Sequence, residues 1–185
     1  MAAVDTSPDE VPLPEASVGG MAGLLEIVAA HGGRDDLPNL ARRLTFDVED
    51  LLPLVDAAEL LDLAIVNDAD IELTDEGRSF VSADIDTSKS IFARQAKARA
   101  PLVRAILSSL EATSDGSLSE GFFFDLLRRG FTEEHARRQL DVAIDWGRYG
   151  ELYEFDANTG QLKLELADSE PKGEASNSQG SAGQA

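Results

Sequence analysis

The side chains that could hold a metal ion or act in catalysis are few in this sequence. The two histidines, His31 and His135, lie in distant parts of the chain, and neither has a second ligand at metal-site spacing. The chain contains no cysteine, which excludes disulfides and thiolate ligands. We interpret His31 as a partner of a helix dipole and His135 as a solvated residue. The sequence therefore predicts no metal site and no cofactor.

Carboxylates are abundant, but their spacing indicates turns rather than a cation site. Asp68 with Asp70, and Asp156 with Asn158, resemble fragments of a calcium loop that lacks its other ligands. Asp and Asn are also ordinary turn residues. The 185 residues contain neither a Walker A motif nor a G-x-S-x-G elbow. We therefore expect a protein that is not an enzyme.

The charge of the chain limits its partners. The formal net charge is -19, from 35 acidic and 16 basic residues. Such a surface repels nucleic acid and anionic membranes at ordinary ionic strength. Two interpretations stay open: general acidity like that of a halophilic archaeon, which we favour because the acids are spread along the chain, or an acidic face for a basic partner. No apolar run could span a membrane and no signal peptide precedes the body, so we expect a cytoplasmic protein.

Hydrophobic periodicity predicts the helices and strands that must position any site. The same order of helices and strands occurs twice along the chain. Residues 18–85 predict three helices and a hairpin around "NDAD". Residues 86–166 predict a connecting helix, bent or restarted at Pro101, and then three helices and a hairpin around "DANTG". The fold class is therefore mainly α with small β-hairpins (α+β), arranged as tandem winged-helix-like units joined by a helix. The polar segments 1–17, which is acidic, and 167–185 are predicted to be disordered tails.

Two groups of residues in the second unit are candidates for contact with a partner. The run "GFFFDLLRRGF" has more aromatic surface than one short helix usually buries, although core packing is the alternative. A second group lies where the last helix gives way to the hairpin. We predict that its Trp covers the base of the hairpin and that its Arg stacks on a ring or pairs with its Glu. The candidate interaction and junction residues are Phe122, Phe124, Trp146, Arg148, Tyr149 and Glu151.

The winged-helix order also suggests DNA binding, with the third helix of a unit as the reader. In the first unit that helix is acidic and has no basic residue. In the second unit Arg137, Arg138 and Arg148 are offset by nearby acids. Charge therefore disfavours DNA, and a winged-helix transcription regulator is kept as the alternative function.

Five segments of the chain resemble a known family. They are "HGGRDDLPNLARRL", "DLLPLVDAAELLDLA", "IELTDEGRSFVSADI", "PLVRAILSSL" and "AIDWGRYGELYEFDANTG". These segments resemble the AAA-associated C-terminal domain, which in its family is appended to the ATP-binding subunits of nitrate/sulfonate/bicarbonate-type ABC transporters. The resemblance covers about residues 18–166.

The resemblance implies a function that does not involve catalysis by this chain. It implies an accessory or regulatory role, with a transporter ATPase subunit or a second copy of the chain as the protein partner. It assigns no catalytic residue and no cofactor. Because the ATPase core is missing from these residues, we expect the module to act on an ATPase supplied by another chain, at most peripherally at a membrane.

Overall fold

The computed structural model describes residues 12–164 of the chain. Unit 1 (residues 18–73) contains α1 (Val18–Ala30), β1 (Arg34–Asp36), α2 (Leu37–Leu44), α3 (Val48–Leu60), β2 (Ala64–Asn67) and β3 (Asp70–Leu73). Two linking helices follow, α4 (Asp75–Ser82) and α5 (Ile85–Arg99). Unit 2 (residues 101–164) contains α6 (Pro101–Glu111), β4 (Ser117–Ser119), α7 (Glu120–Leu127), α8 (Glu133–Tyr149), β5 (Tyr153–Asp156) and β6 (Gln161–Leu164). The predicted class, mainly α with small β-hairpins, is confirmed.

Capping residues explain where the helices begin. The side chains of Asp36, Thr74 and Thr132 each accept a hydrogen bond from the backbone N–H three residues later, at 3.0, 2.9 and 3.3 Å. Pro53 lies inside α3 without ending it, whereas Pro101 starts α6 as a separate helix. These local signals place the third helix of each unit directly before its hairpin.

Each unit closes with a three-stranded antiparallel sheet, in the order β1-β3-β2 and β4-β6-β5. The two hairpins were predicted, but the edge strands β1 and β4 were not. Both have three residues, "RDD" and "SLS", which is too short for an alternating pattern to show. The two units therefore match element by element, including the strands that the sequence did not indicate.

Helix α5 is joined to both units at corresponding places. Arg99 Nη2 lies 2.7 Å from Asp62 Oδ2 in unit 1, and Lys89 Nζ lies 2.6 Å from Glu151 Oε1 in unit 2. Asp62 and Glu151 both have left-handed backbones, with φ of 58° and 52°, just after the third helix of their units. Buried residues of both units and of α5 form one continuous hydrophobic core.

The prediction that residues 1–17 form a disordered tail is wrong for residues 12–17. Leu13 and Ala16 are buried. The Gln139 side chain accepts a hydrogen bond from Leu13 N–H at 2.6 Å and donates one to Leu13 C=O at 2.9 Å. Trp146 Nε1 donates to Ala16 C=O at 3.0 Å. The partners of this segment lie far along the chain on α8, so its local composition could not indicate the contact.

The remaining predicted tail residues, 1–11 and 167–185, lie outside the described residues. Among the helices that the structure describes, none is both long enough and apolar enough to cross a membrane.

Candidate protein-interaction surface

We use the name aromatic–arginine surface for Phe122 and Phe124 of α7, Arg128 at its C-cap and Arg137 of α8; Phe122 and Phe124 lie on either side of the buried Phe123. Phe122 is 52% exposed, and its ring meets the buried Phe123 edge-on, with centroids 5.2 Å apart. Phe124 is half-buried beneath the guanidinium groups of Arg137 and Arg128, at 4.6 and 5.6 Å from its centroid. Phe123 packs in the core and Phe122 is exposed, so the run of three Phe residues contributes both to core packing and to the surface.

Carboxylates pair with Arg137 of this surface and with the adjacent Arg138. Arg137 Nη1 lies 3.0 Å from Glu120 Oε2. Arg138 pairs with Glu15 at 2.9 Å and with Glu134 at 2.5 Å. Ion pairs this exposed add little stability, but they hold the guanidinium groups in place. An open depression of about 690 Å³ adjoins the surface, lined by Phe124, Glu133, Glu134, Arg137 and Arg138.

Desolvation affects one carboxyl on α8. Partial burial raises the pKa of Asp141 above its ordinary value, and the nearby charge of Arg137 opposes this shift. Asp141 lies one helical turn after Arg137, on the same side of α8. The charge of Arg137 therefore partly offsets the desolvation of Asp141.

Trp146 is buried, but it does not occupy the predicted place. Its ring packs edge-on against Phe92 of α5, with centroids 5.7 Å apart, and its N–H reaches Ala16. The base of the hairpin is filled by Tyr153 instead. A Cβ at Gly147 would lie 2.0 Å from the Tyr153 ring, so the glycine makes room for that ring.

The hydroxyl of Tyr153 completes the packing at the hairpin base. It donates a hydrogen bond to Ala143 C=O at 2.7 Å. Burial raises the pKa of the phenol far above its ordinary value, so the group is neutral. Tyr149 lies close by, with its ring edge-on to Phe92 at 5.0 Å. Both tyrosines therefore belong to the fold rather than to an exposed site.

The predicted Arg148–Glu151 pair is wrong. Glu151 pairs with Lys89, and that carboxylate raises the pKa of the Lys89 ammonium. The chain reverses at Glu151 through its left-handed backbone, which separates its side chain from Arg148. Arg148 is exposed and lines an open groove of about 540 Å³ along the hairpin, together with Glu154, Asp156 and Lys163.

The histidines occupy structural positions. His31 Nδ1 lies 2.7 Å from Ile27 C=O at the end of α1, which confirms its predicted place at a helix end. His135, predicted to be solvated, is half-buried, with its ring 4.7 Å from that of Phe131. Within residues 12–164, no three His, Asp or Glu side chains lie close enough to share a metal ion.

A family model described as the C-terminal AAA-associated domain matches residues 38–156. The match runs from α2 to the end of β5 and so includes parts of both units and the whole of α5. Curated proteins and solved structures gave no significant match. The family match agrees with the resemblance seen in the sequence.

Proposed function

Because the chain belongs to the C-terminal AAA-associated domain family, we propose that it is a non-catalytic accessory module that binds the ATPase subunit of an ABC-type importer. The observation that carries this proposal is the family match across both units and the helix between them. The family resemblance points to importers of the nitrate/sulfonate/bicarbonate type. In this proposal the ATPase is a separate chain to which the module binds.

The aromatic–arginine surface has the chemistry expected of the contact. Aromatic residues and Arg are enriched at the energetic centres of protein interfaces. Phe122 offers a half-exposed ring that is already fixed against Phe123. Arg137 is held over Phe124 by its pair with Glu120, so little side-chain freedom is lost on binding.

A module without catalytic groups can regulate an ATPase only by binding its states unequally. If it binds the ATP-bound state more tightly than the ADP-bound state, it shifts the populations by that difference in affinity. The module would then act at the cytoplasmic face of the importer, held there by the complex. Accessory binding of this kind requires no cofactor.

The test is affinity purification of the tagged full chain from its own organism at several salt concentrations, followed by mass spectrometry. We expect an ABC-type ATPase subunit or permease to be recovered, and Phe122→Asp to lower its recovery about tenfold. Ile85→Asp is the matched control, because Ile85 is 70% exposed on α5. Recovery of no transporter component would contradict the proposal.

A second candidate is a DNA-binding regulator, favoured by the order of three helices and a hairpin. The ion pairs of Arg137 and Arg138 count against it, because these cations are already neutralised by carboxylates. We expect no DNA binding even at low salt. Salt-sensitive binding that is lost on joint Arg137→Glu and Arg138→Glu substitution would establish this function instead.

A further inference from the structure

The third helix of each unit has an exposed outer stripe with the same spacing. The stripe of α3 consists of Val48, Leu52, Asp56 and Glu59, and the stripe of α8 consists of Arg137, Asp141, Asp145 and Arg148. Each stripe ends three residues before the left-handed residue that follows the helix. The stripes therefore occupy equivalent positions but differ in chemistry: that of α8 has two cations and two anions, and that of α3 has two apolar residues and two anions.

Three exposed apolar side chains lie near the start of α3. Val48 and Leu52 are 36% and 43% exposed and lie on successive turns of the helix. Phe46, which precedes the N-cap residue Asp47, is 51% exposed. Three large apolar side chains in the short stretch 46–52 thus remain accessible to water, and covering them would be favourable.

The acids of α3 and its N-cap form no ion pair with the other residues that the structure describes. These acids are Asp47, Glu49, Asp50, Asp56 and Glu59. No Lys or Arg occurs in α3. In α8, by contrast, Arg137 and Arg138 supply positive charge within the helix itself.

We propose that the α3 stripe, together with Phe46, binds an amphipathic basic helix of another protein. Its apolar side chains would cover Phe46, Val48 and Leu52, and its Lys or Arg side chains would meet Asp56 and Glu59. Charge complementarity selects this occupant, because the acids offer attraction to cations and repel an acidic helix. This inference needs neither an ATPase nor the aromatic–arginine surface, so it stands or fails separately from the proposed function.

A second copy of the chain fits the stripe less well. The chain has a net charge of -19, so two copies repel each other. At the aromatic–arginine surface Arg137 is already paired with Glu120, which leaves a second copy only Arg128 there as a cation outside the ion pairs of the described residues. A partner whose cations are not paired internally is therefore the better match.

The probe is a helical peptide of about 15 residues, with Leu on one face and Lys on the other. A second peptide with Glu in place of Lys is its charge control. Binding to the full chain is measured by fluorescence anisotropy of the labelled peptide, at low salt and at molar salt. We expect the Lys peptide to bind, the Glu peptide not to bind, and salt to weaken binding without abolishing it.

Variants locate the binding site. Leu52→Asp and the milder Leu52→Ser should weaken binding about tenfold or more, whereas Ile85→Asp should not change it. Joint Glu49→Lys and Asp56→Lys should weaken binding more than joint Glu111→Lys and Glu154→Lys, which changes the net charge equally at exposed positions elsewhere. Equal effects of site and control variants would overturn the proposal. Concentration-dependent dimerisation that Leu52→Asp abolishes would also overturn it, in favour of a second copy.

Discussion

Helices α3 and α8 end in the same way but have different surroundings. Residues 12–17 pack on α8 through Gln139 and Trp146, and α5 packs against it through Phe92. The counterpart of Trp146 in α3 is Ala57, which is buried, and the counterpart of Gln139 is Asp50, which is exposed. One backbone plan thus supports a helix in unit 2 with additional cover from residues 12–17 and α5, and a helix in unit 1 whose exposed stripe is apolar and acidic.

The packing between the third helix and the hairpin also differs between the two units. In unit 2, Gly147 faces the large ring of Tyr153 at the base of the hairpin. The equivalent residues in unit 1 are Ala58 and Ala64, both buried. The two junctions between helix and hairpin are therefore packed by a Gly–Tyr pair in unit 2 and an Ala–Ala pair in unit 1. A substitution that one junction tolerates should destabilise the other.

Trp146→Ala should cause the largest loss of stability. Truncating a buried aromatic residue costs about 3–5 kcal/mol, here with a donor to Ala16 C=O removed as well. Ala57→Gly, at the equivalent position of unit 1, should cost about 1 kcal/mol. Urea unfolding followed by circular dichroism measures both. Equal losses would mean that α8 is not the more enclosed helix.

Gln139→Leu should detach residues 12–17. The change leaves the N–H and C=O of Leu13 without their side-chain partners, at about 1–3 kcal/mol for each group that stays buried. We expect faster hydrogen exchange at Leu13 and a red shift of the emission of Trp146. Asp50→Leu, its counterpart in unit 1, should leave both signals unchanged. Unaltered exchange in Gln139→Leu would show that this side chain does not hold the segment.

Gly147→Ala should destabilise the protein by about 1–3 kcal/mol, because the new methyl group overlaps the ring of Tyr153. The same change should cost far less in a Tyr153→Ala background, which recreates the alanine pair of unit 1. A double-mutant cycle in urea measures this coupling. Additive effects would contradict the proposed contact between the two residues.

Asp156→Asn should have the smallest effect, which is present at neutral pH and disappears in acid, where Asp156 is itself protonated. Hydrogen bonds from Asn158 N–H and the Thr159 hydroxyl, both 2.9 Å, lower the pKa of Asp156. Its contribution to stability is therefore present above the unfolded pKa of about 3.9 and is lost as pH falls through the lower folded value. Unit 1 has Asn67 at this position.

Urea midpoints between about pH 2 and pH 6 test this effect. Asp156→Asn should flatten the acid limb of the curve, and Asp84, whose pKa is also lowered by N-cap hydrogen bonds, should maintain part of the slope. An acid limb identical to that of the unchanged protein would rule out Asp156 as a contributor.

Local patterns in the sequence predicted the helices, both hairpins and the repeated order. These features are local: the caps Asp36 and Thr132, for example, bond to residues only three positions away. Contacts between distant residues could not be predicted. Residues 12–17 dock on a helix far along the chain, and Glu151 pairs with Lys89 rather than with its neighbour Arg148.

The candidate site was predicted only in part. Phe122 is exposed and Phe124 is half-buried beneath two arginines, whereas Trp146 and Tyr149 pack against Phe92 of α5. The sequence does not indicate the exposed stripe of α3, because the apolar residues of the stripe also fit the periodicity of a core-facing helix. Only the packing of α3 in three dimensions shows that Val48 and Leu52 remain exposed.

The most direct test of the account is the affinity of the purified full chain for the ATPase subunit of a nitrate/sulfonate/bicarbonate-type importer from the same organism. It should be measured with ATP and with ADP. We predict binding, with affinities that differ about tenfold between the two nucleotides, because an accessory module must distinguish the states of its ATPase. No binding with either nucleotide would contradict the accessory function, and equal affinities would contradict regulation.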